Sequence, residues 1–166
     1  MVDRAVKKLQ QSESGLAPED INVRLDHIDQ TIPESYIRST SQRLSLYKAL
    51  GTLHTKEDLW DFRNGIENRF GALPESVVNI FRNAEVRLWG QLHGVETIEH
   101  DSNRLRLQIK DSVTLNHDKL VEWLCDDQTS IKYIPENKLD LNDVPADMST
   151  ILSRLKQMEH FFIVNN

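Results

Sequence analysis

The sequence predicts an α+β fold: a helical N-terminal half followed by a small, mostly antiparallel sheet with packed helices. Two observations carry this. Apolar residues recur every three or four positions between residues 40 and 93, and after Gly94 the period drops to two. No internal repeat interrupts that order, so helices come mostly first and strands follow, as in an α+β chain.

The first element is incomplete in character. "DRAVKKLQQ" sets Ala5, Val6 and Leu9 at helical spacing, but nothing upstream of Asp3 caps it. Residues 1–20 therefore read as a fragment of a longer helix followed by a linker, with the domain proper expected to begin at the strand that follows. "INVRLDHI" alternates Ile21, Val23 and Leu25 with Asn22, Arg24 and Asp26, which predicts a strand with one buried face.

"TIPESYI" predicts a short helical turn opened by Pro33, and "SQRLSLYKALGTL" a helix whose stripe is Leu44, Tyr47 and Leu50, with Leu46 and Leu53 beside it. In the next helix Thr55 is the cap, Asp58 reaches back in a capping-box-like arrangement, and Leu59, Phe62, Ile66 and Phe70 form the inner face. Gly71 supplies a left-handed stop. Pro74 then fits a first helical turn, where no backbone N–H is missed, and Glu75 complements the positive helix end. The long helix that follows carries Val77, Phe81, Ala84, Leu88 and Leu92, widened by Ile80 and Trp89, up to Gly94.

"VETIEHDSNRLRLQI" predicts a hairpin around the turn-prone "HDSN". "HDKLVEWLCDD" predicts a short helix with Leu120, Val121, Leu124 and Cys125 inward, and "SIKYIPENKLDLN" two further short strands. A last helix from about Pro145 repeats Met148, Ile151, Leu152, Leu155, Met158 and Phe162.

Bulk properties narrow the function. A chain of 166 residues has the length of one domain, and a domain of that size hides about 70% of its unfolded surface. Twenty basic against 26 acidic residues, net −6, argue against a surface that tracks phosphates, which needs clustered Lys and Arg. Arg82 and Arg87 have Glu85 between them and read as a mixed solvated face. No apolar run approaches a membrane span, the N-terminus is too charged for a secretory signal, and the single Cys125 has no disulfide partner, so a cytoplasmic protein is expected.

Motifs for chemistry are missing: no GxxxxGK[ST], GxGxxG or GxSxG occurs. His93 and His100, with Asp101 adjacent, offer too few ligands for zinc and read as exposed polar residues. "DLNDVPAD" has Pro145 and Ile151 where a calcium loop needs Gly and a bidentate acid, so it reads as turn residues with Asp143 near a helix start. Cys125 reads as a buried thiol, and Trp60, Phe62, Phe70 and Trp89 as core aromatics.

Taken together, "INVRLDHIDQTIPESYI", "QRLSLYKAL" and "NRFGALPESV" resemble the C-terminal domain of bacterial transcription-repair coupling factor, most clearly from Ile21 to Leu92. The family pattern runs strand, Pro-acidic-x-Tyr/Phe-Ile, Arg-Leu-x-x-Tyr-Lys, capped helix, Asp-Arg-Phe-Gly-x-Leu-Pro. The resemblance implies that residues 1–20 are the end of a linker helix and a linker from the parent chain, and that residues 21–166 form one non-catalytic, autoinhibitory C-terminal domain of a DNA-repair translocase. Such a domain folds back on the parent's UvrA-binding module and masks it. ATP, magnesium, RNA polymerase, UvrA and DNA would all be bound by other parts of that parent, with no cofactor or metal in this piece and no membrane, and the fragment would be a monomer.

The family's docking surface includes the helix end before the "RFG" corner. Arg69 matches it by position; Asn68 replaces the usual Asp, and Gly65 stands where an acid is expected, with Glu67 the nearest substitute. An accessory DNA-binding domain of the same type of helicase is the alternative reading.

Overall fold

Two hydrophobic clusters, one among helices and one on a sheet, share a single long helix. The structure is a computed structural model and describes residues 20–126 and 130–163; the expected linker helix over residues 1–20 lies almost entirely outside them. Strand β1 (Asn22–Leu25) leads into helices α1 (Thr40–Gly51), α2 (Lys56–Phe70) and α3 (Glu75–His93). The hairpin β2 (Val95–Asp101) and β3 (Arg104–Ile109) follows. Helix α4 (His117–Leu124), the hairpin β4 (Ile131–Ile134) and β5 (Lys138–Leu141), and α5 (Met148–Gln157) complete the order, with a 3-10 turn at Met158–Phe161.

The strands form one sheet in the order β1-β2-β3-β5-β4. All neighbours are antiparallel except β1, which joins β2 in parallel and so carries the start of the domain into the sheet of its second half. Both hairpins close as their residues dictate: Ser102 and Asn103 take positive φ in one, Glu136 and Asn137 in the other. Period-two alternation puts Ile98, Leu105, Leu107, Ile109, Leu139 and Leu141 on the inner face, where α3 and α5 cover them.

Helix α3 is the common wall. Val77, Ile80, Phe81, Ala84 and Leu88 pack with Ile37, Leu50, Leu59 and Ile66 of the helical cluster. Val86 and Trp89 belong to the sheet cluster. The caps form from the expected residue types: Ser39, Thr55, Asn116 and Asp147 each accept a backbone N–H of the first turn they open. Among the described residues no helix is long and apolar enough to cross a membrane.

Several expected core positions lie elsewhere. Helix α1 packs through Leu46 and Leu50, continued by Leu53 just past its end, so Leu44 is turned to solvent at 56% exposure. Tyr47 is also exposed, and its hydroxyl accepts the Ile32 N–H at 2.8 Å. In α4 the large indole of Trp123 shares the inward face with Leu120 and meets Phe161 edge-on at 4.8 Å. That rotation leaves Val121, Leu124 and the Cys125 thiol outside, contrary to the buried thiol expected. Leu92 is exposed because the last turn of α3 faces the sheet through Trp89 and His93 instead.

The polar expectations shift as well. His93 and His100 are buried, not exposed: His93 Nδ1 lies 2.8 Å from the Trp89 carbonyl and its ring stacks on that indole, while His100 Nε2 meets the Val144 carbonyl at 2.6 Å. They serve separate partners. "DLNDVPAD" divides: Asp140 is a buried strand residue paired with Arg106, Asp143 accepts from Ser130, and the helix start belongs to Asp147.

Candidate docking corner

Helix α2 ends where its sequence dictates and leaves its last turn in solvent. Leu59 and Ile66 turn inward, so Gly65, Asn68 and Arg69, at i, i+3 and i+4, share an exposed ridge, with Glu67 exposed beside it. Arg69 sits in the last turn, where a cation favours the negative end of the helix dipole, and its guanidinium lies over the Phe70 ring, 5.0 Å from the centroid.

The corner is held from behind. Gly71 closes α2 by donating its N–H to the Glu67 carbonyl at 2.9 Å, with φ 92° and ψ −172°. This is not the left-handed helical conformation expected but a region open essentially only to glycine. Pro74 is the residue before α3, extended at φ −60° and ψ 155°, one position earlier than expected. The Tyr36 hydroxyl donates to the Gly71 carbonyl at 2.7 Å and its ring tilts against Phe70. Burial, helped by the negative charge of Glu67, pushes the Tyr36 phenol above its usual range, so it stays a donor.

The four residues singled out in the sequence are thus together and exposed. A planar guanidinium braced on a ring, with an amide one residue away, suits reversible recognition of a carboxylate. Nothing within 4 Å would meet a side chain at Gly65. The other basic candidates are differently placed. Arg87 is half-buried and its Nη2 donates to the Leu50 and Leu53 carbonyls at 2.8 and 3.2 Å, tying down the end of α1.

Sequence reasoning missed one surface. At the other end of α2, Trp60, expected in the core, is 65% exposed at the edge of a cleft of about 640 Å³. Leu59, Phe81, Trp89 and Leu152 line it, with Lys56, Glu57, Glu85 and Lys156 around the rim. Trp60 follows Leu59 by one position and so lies about 100° away from the buried stripe. That offset was the available signal.

Comparison with known proteins gives the family and the fold. A family model described as the TRCF domain matches residues 27–120. The transcription-repair-coupling factor of Bacillus subtilis is 31% identical over 105 residues, 62% of this chain and 9% of that protein. The Borreliella burgdorferi protein of the same name is 20% identical over 124 residues, 75% of this chain and 11% of its own. The chain therefore spans about a tenth of the length of these relatives. A crystal structure of the C-terminal domain of transcription-repair coupling factor superposes with a TM-score of 0.69 at 18% identity, covering 82% of this chain and 87% of the other.

Proposed function

Because this chain belongs to the TRCF domain family, we propose that it is the restraining C-terminal domain of a DNA-repair translocase, docking reversibly through its α2 corner on the UvrA-binding module of the same polypeptide. The observation that supports this most directly is the exposed guanidinium of Arg69, braced on Phe70 at a corner that glycine and tyrosine hold rigid. Its role is non-catalytic: ATP, magnesium, DNA and RNA polymerase engage the rest of the parent, and docking hides the surface UvrA would use.

Tethering makes a weak contact sufficient, since an intramolecular partner reaches an effective concentration on the order of millimolar. An opening cost of about 3 kcal/mol would hold the exposed form below about 1% until polymerase or DNA shifts the balance. Asn68 and Gly65 supply no charge, so the Arg69 cation is the main recognition element of this ridge.

The test is binding of this chain to the separately produced UvrA-binding module of its own parent. Arg69→Glu is expected to weaken the complex at least about tenfold, or about 1.4 kcal/mol, by removing the cation braced on Phe70 and reversing the charge of the proposed contact. Binding that ignores the reversal removes the docking assignment. Salt-dependent affinity of the isolated chain for DNA would favour the accessory DNA-binding reading instead.

A further inference from the structure

One row of side chains crosses the polar face of the whole sheet with alternating sign. Arg24 of β1 stands opposite Glu99 of β2, Glu99 opposite Arg106 of β3, Arg106 opposite Asp140 of β5, and Asp140 opposite Lys132 of β4. The members are unequal. Arg24 is exposed and lies 3.7 Å from the half-buried Glu99, whereas Arg106 grips the buried Asp140 with two parallel hydrogen bonds of 2.6 and 2.7 Å.

Their positions follow the connections. Tight turns at Ser102 and Asn103, and at Glu136 and Asn137, set the β2/β3 and β4/β5 registers. No turn sets the other two: β1 meets β2 only after three helices, and β3 meets β5 only after α4 and β4. The bidentate pair sits at one of these turnless junctions.

The apolar face cannot complete the specification. A one-residue slip would expose Leu139 and Leu141, but a two-residue slip keeps every apolar residue inward and exchanges one leucine for another. On the polar face the same slip is costly. In one direction Arg106 faces Lys138, and Asp140 passes to Arg104, already opposite Asp101; in the other Arg106 faces Asn142 and Asp140 faces Gln108.

We infer that this charged row is a register key for the sheet, with the Arg106–Asp140 pair selecting between registers that the apolar pattern leaves equivalent. Gln108, which donates to the Glu136 carbonyl, and Asn137, which donates to Asp111, clip only the turn end of the same junction.

Amide NMR spectra of the whole chain test this. Arg106→Gln with Asp140→Asn removes both charges at nearly constant shape. A second set of β3 and β5 signals is expected, at least about a tenth of the total, with residue 106 showing cross-strand contacts to 138 or 142 in place of 140. Arg106→Lys with Asp140→Glu keeps the charges and should give one set in the native register. A single native set from the neutral pair overturns the proposal, as does identical behaviour of the two variants. Outright unfolding of the neutral pair also overturns it, because the row would then supply stability and not selection.

Discussion

Asp140 shows how one side chain ties pH to stability. Its hydrogen bonds from Arg106 hold the carboxyl below the usual carboxylate range against the opposing effect of burial. A carboxylate with a depressed folded-state value adds stability above its unfolded value, near 3.9, and loses it as pH falls through the folded one. Chemical denaturation from pH 7 downward should therefore show stability falling below about pH 4. Asp140→Asn should flatten that loss and lower stability at pH 7 by about 2–3 kcal/mol. This is less than for a fully buried pair, because the Arg106 side chain keeps 33% of its surface in water. Gly71 is a second such residue. Any Cβ at its φ of 92° is strained, so Gly71→Ala should cost about 1–3 kcal/mol in urea denaturation although nothing stands within 4 Å.

At the scale of elements, two helical glycines make opposite predictions. A Cβ at Gly65 meets open space, so Gly65→Ala should raise stability by about 0.5–1 kcal/mol. A Cβ at Gly90 would lie 2.3 Å from Ile21 Cδ1 and 3.2 Å from Ile98 Cδ1, so Gly90→Ala should lose that gain to crowding where β1 passes beneath α3. Urea midpoints of the two variants should move apart. Legibility in the sequence divides along the same lines. The Thr55 cap and the first hairpin could be read because their signals are local: a side-chain acceptor beside a free N–H, or residues tolerant of positive φ. The inward faces of α1 and α4 could not, since both helices carry more apolar residues than one neighbour can cover. Competition between Trp123 and Val121, or Leu46 and Leu44, is settled only by packing. The parallel pairing of β1 with β2 was hidden for a related reason, the separation of the two strands in the chain. The ridge of Gly65, Asn68 and Arg69 was singled out by resemblance alone, while the cleft beside Trp60 was not seen, because an aromatic residue on a helix reads first as core.

For the whole molecule, the decisive feature is that one helix serves both clusters. A chain whose halves met across a loop could loosen them separately; here α3 contributes Phe81 to one and Trp89 to the other, only two turns apart. Leu59→Ala in the helical cluster and Leu107→Ala in the sheet cluster should each cost about 2–5 kcal/mol. Each should lower one shared midpoint when helix and aromatic signals are followed together; separate transitions for the two probes would mean the clusters unfold independently. The chain also carries its own optical reporter. Of its three tryptophans, Trp89 is shut in the interior, whereas Trp60 stands in water nine residues before Arg69, about 13 Å along the same rod. Its emission belongs at the long-wavelength end for an indole, and any body that settles along that rod would drive the colour toward the blue without a dye being attached.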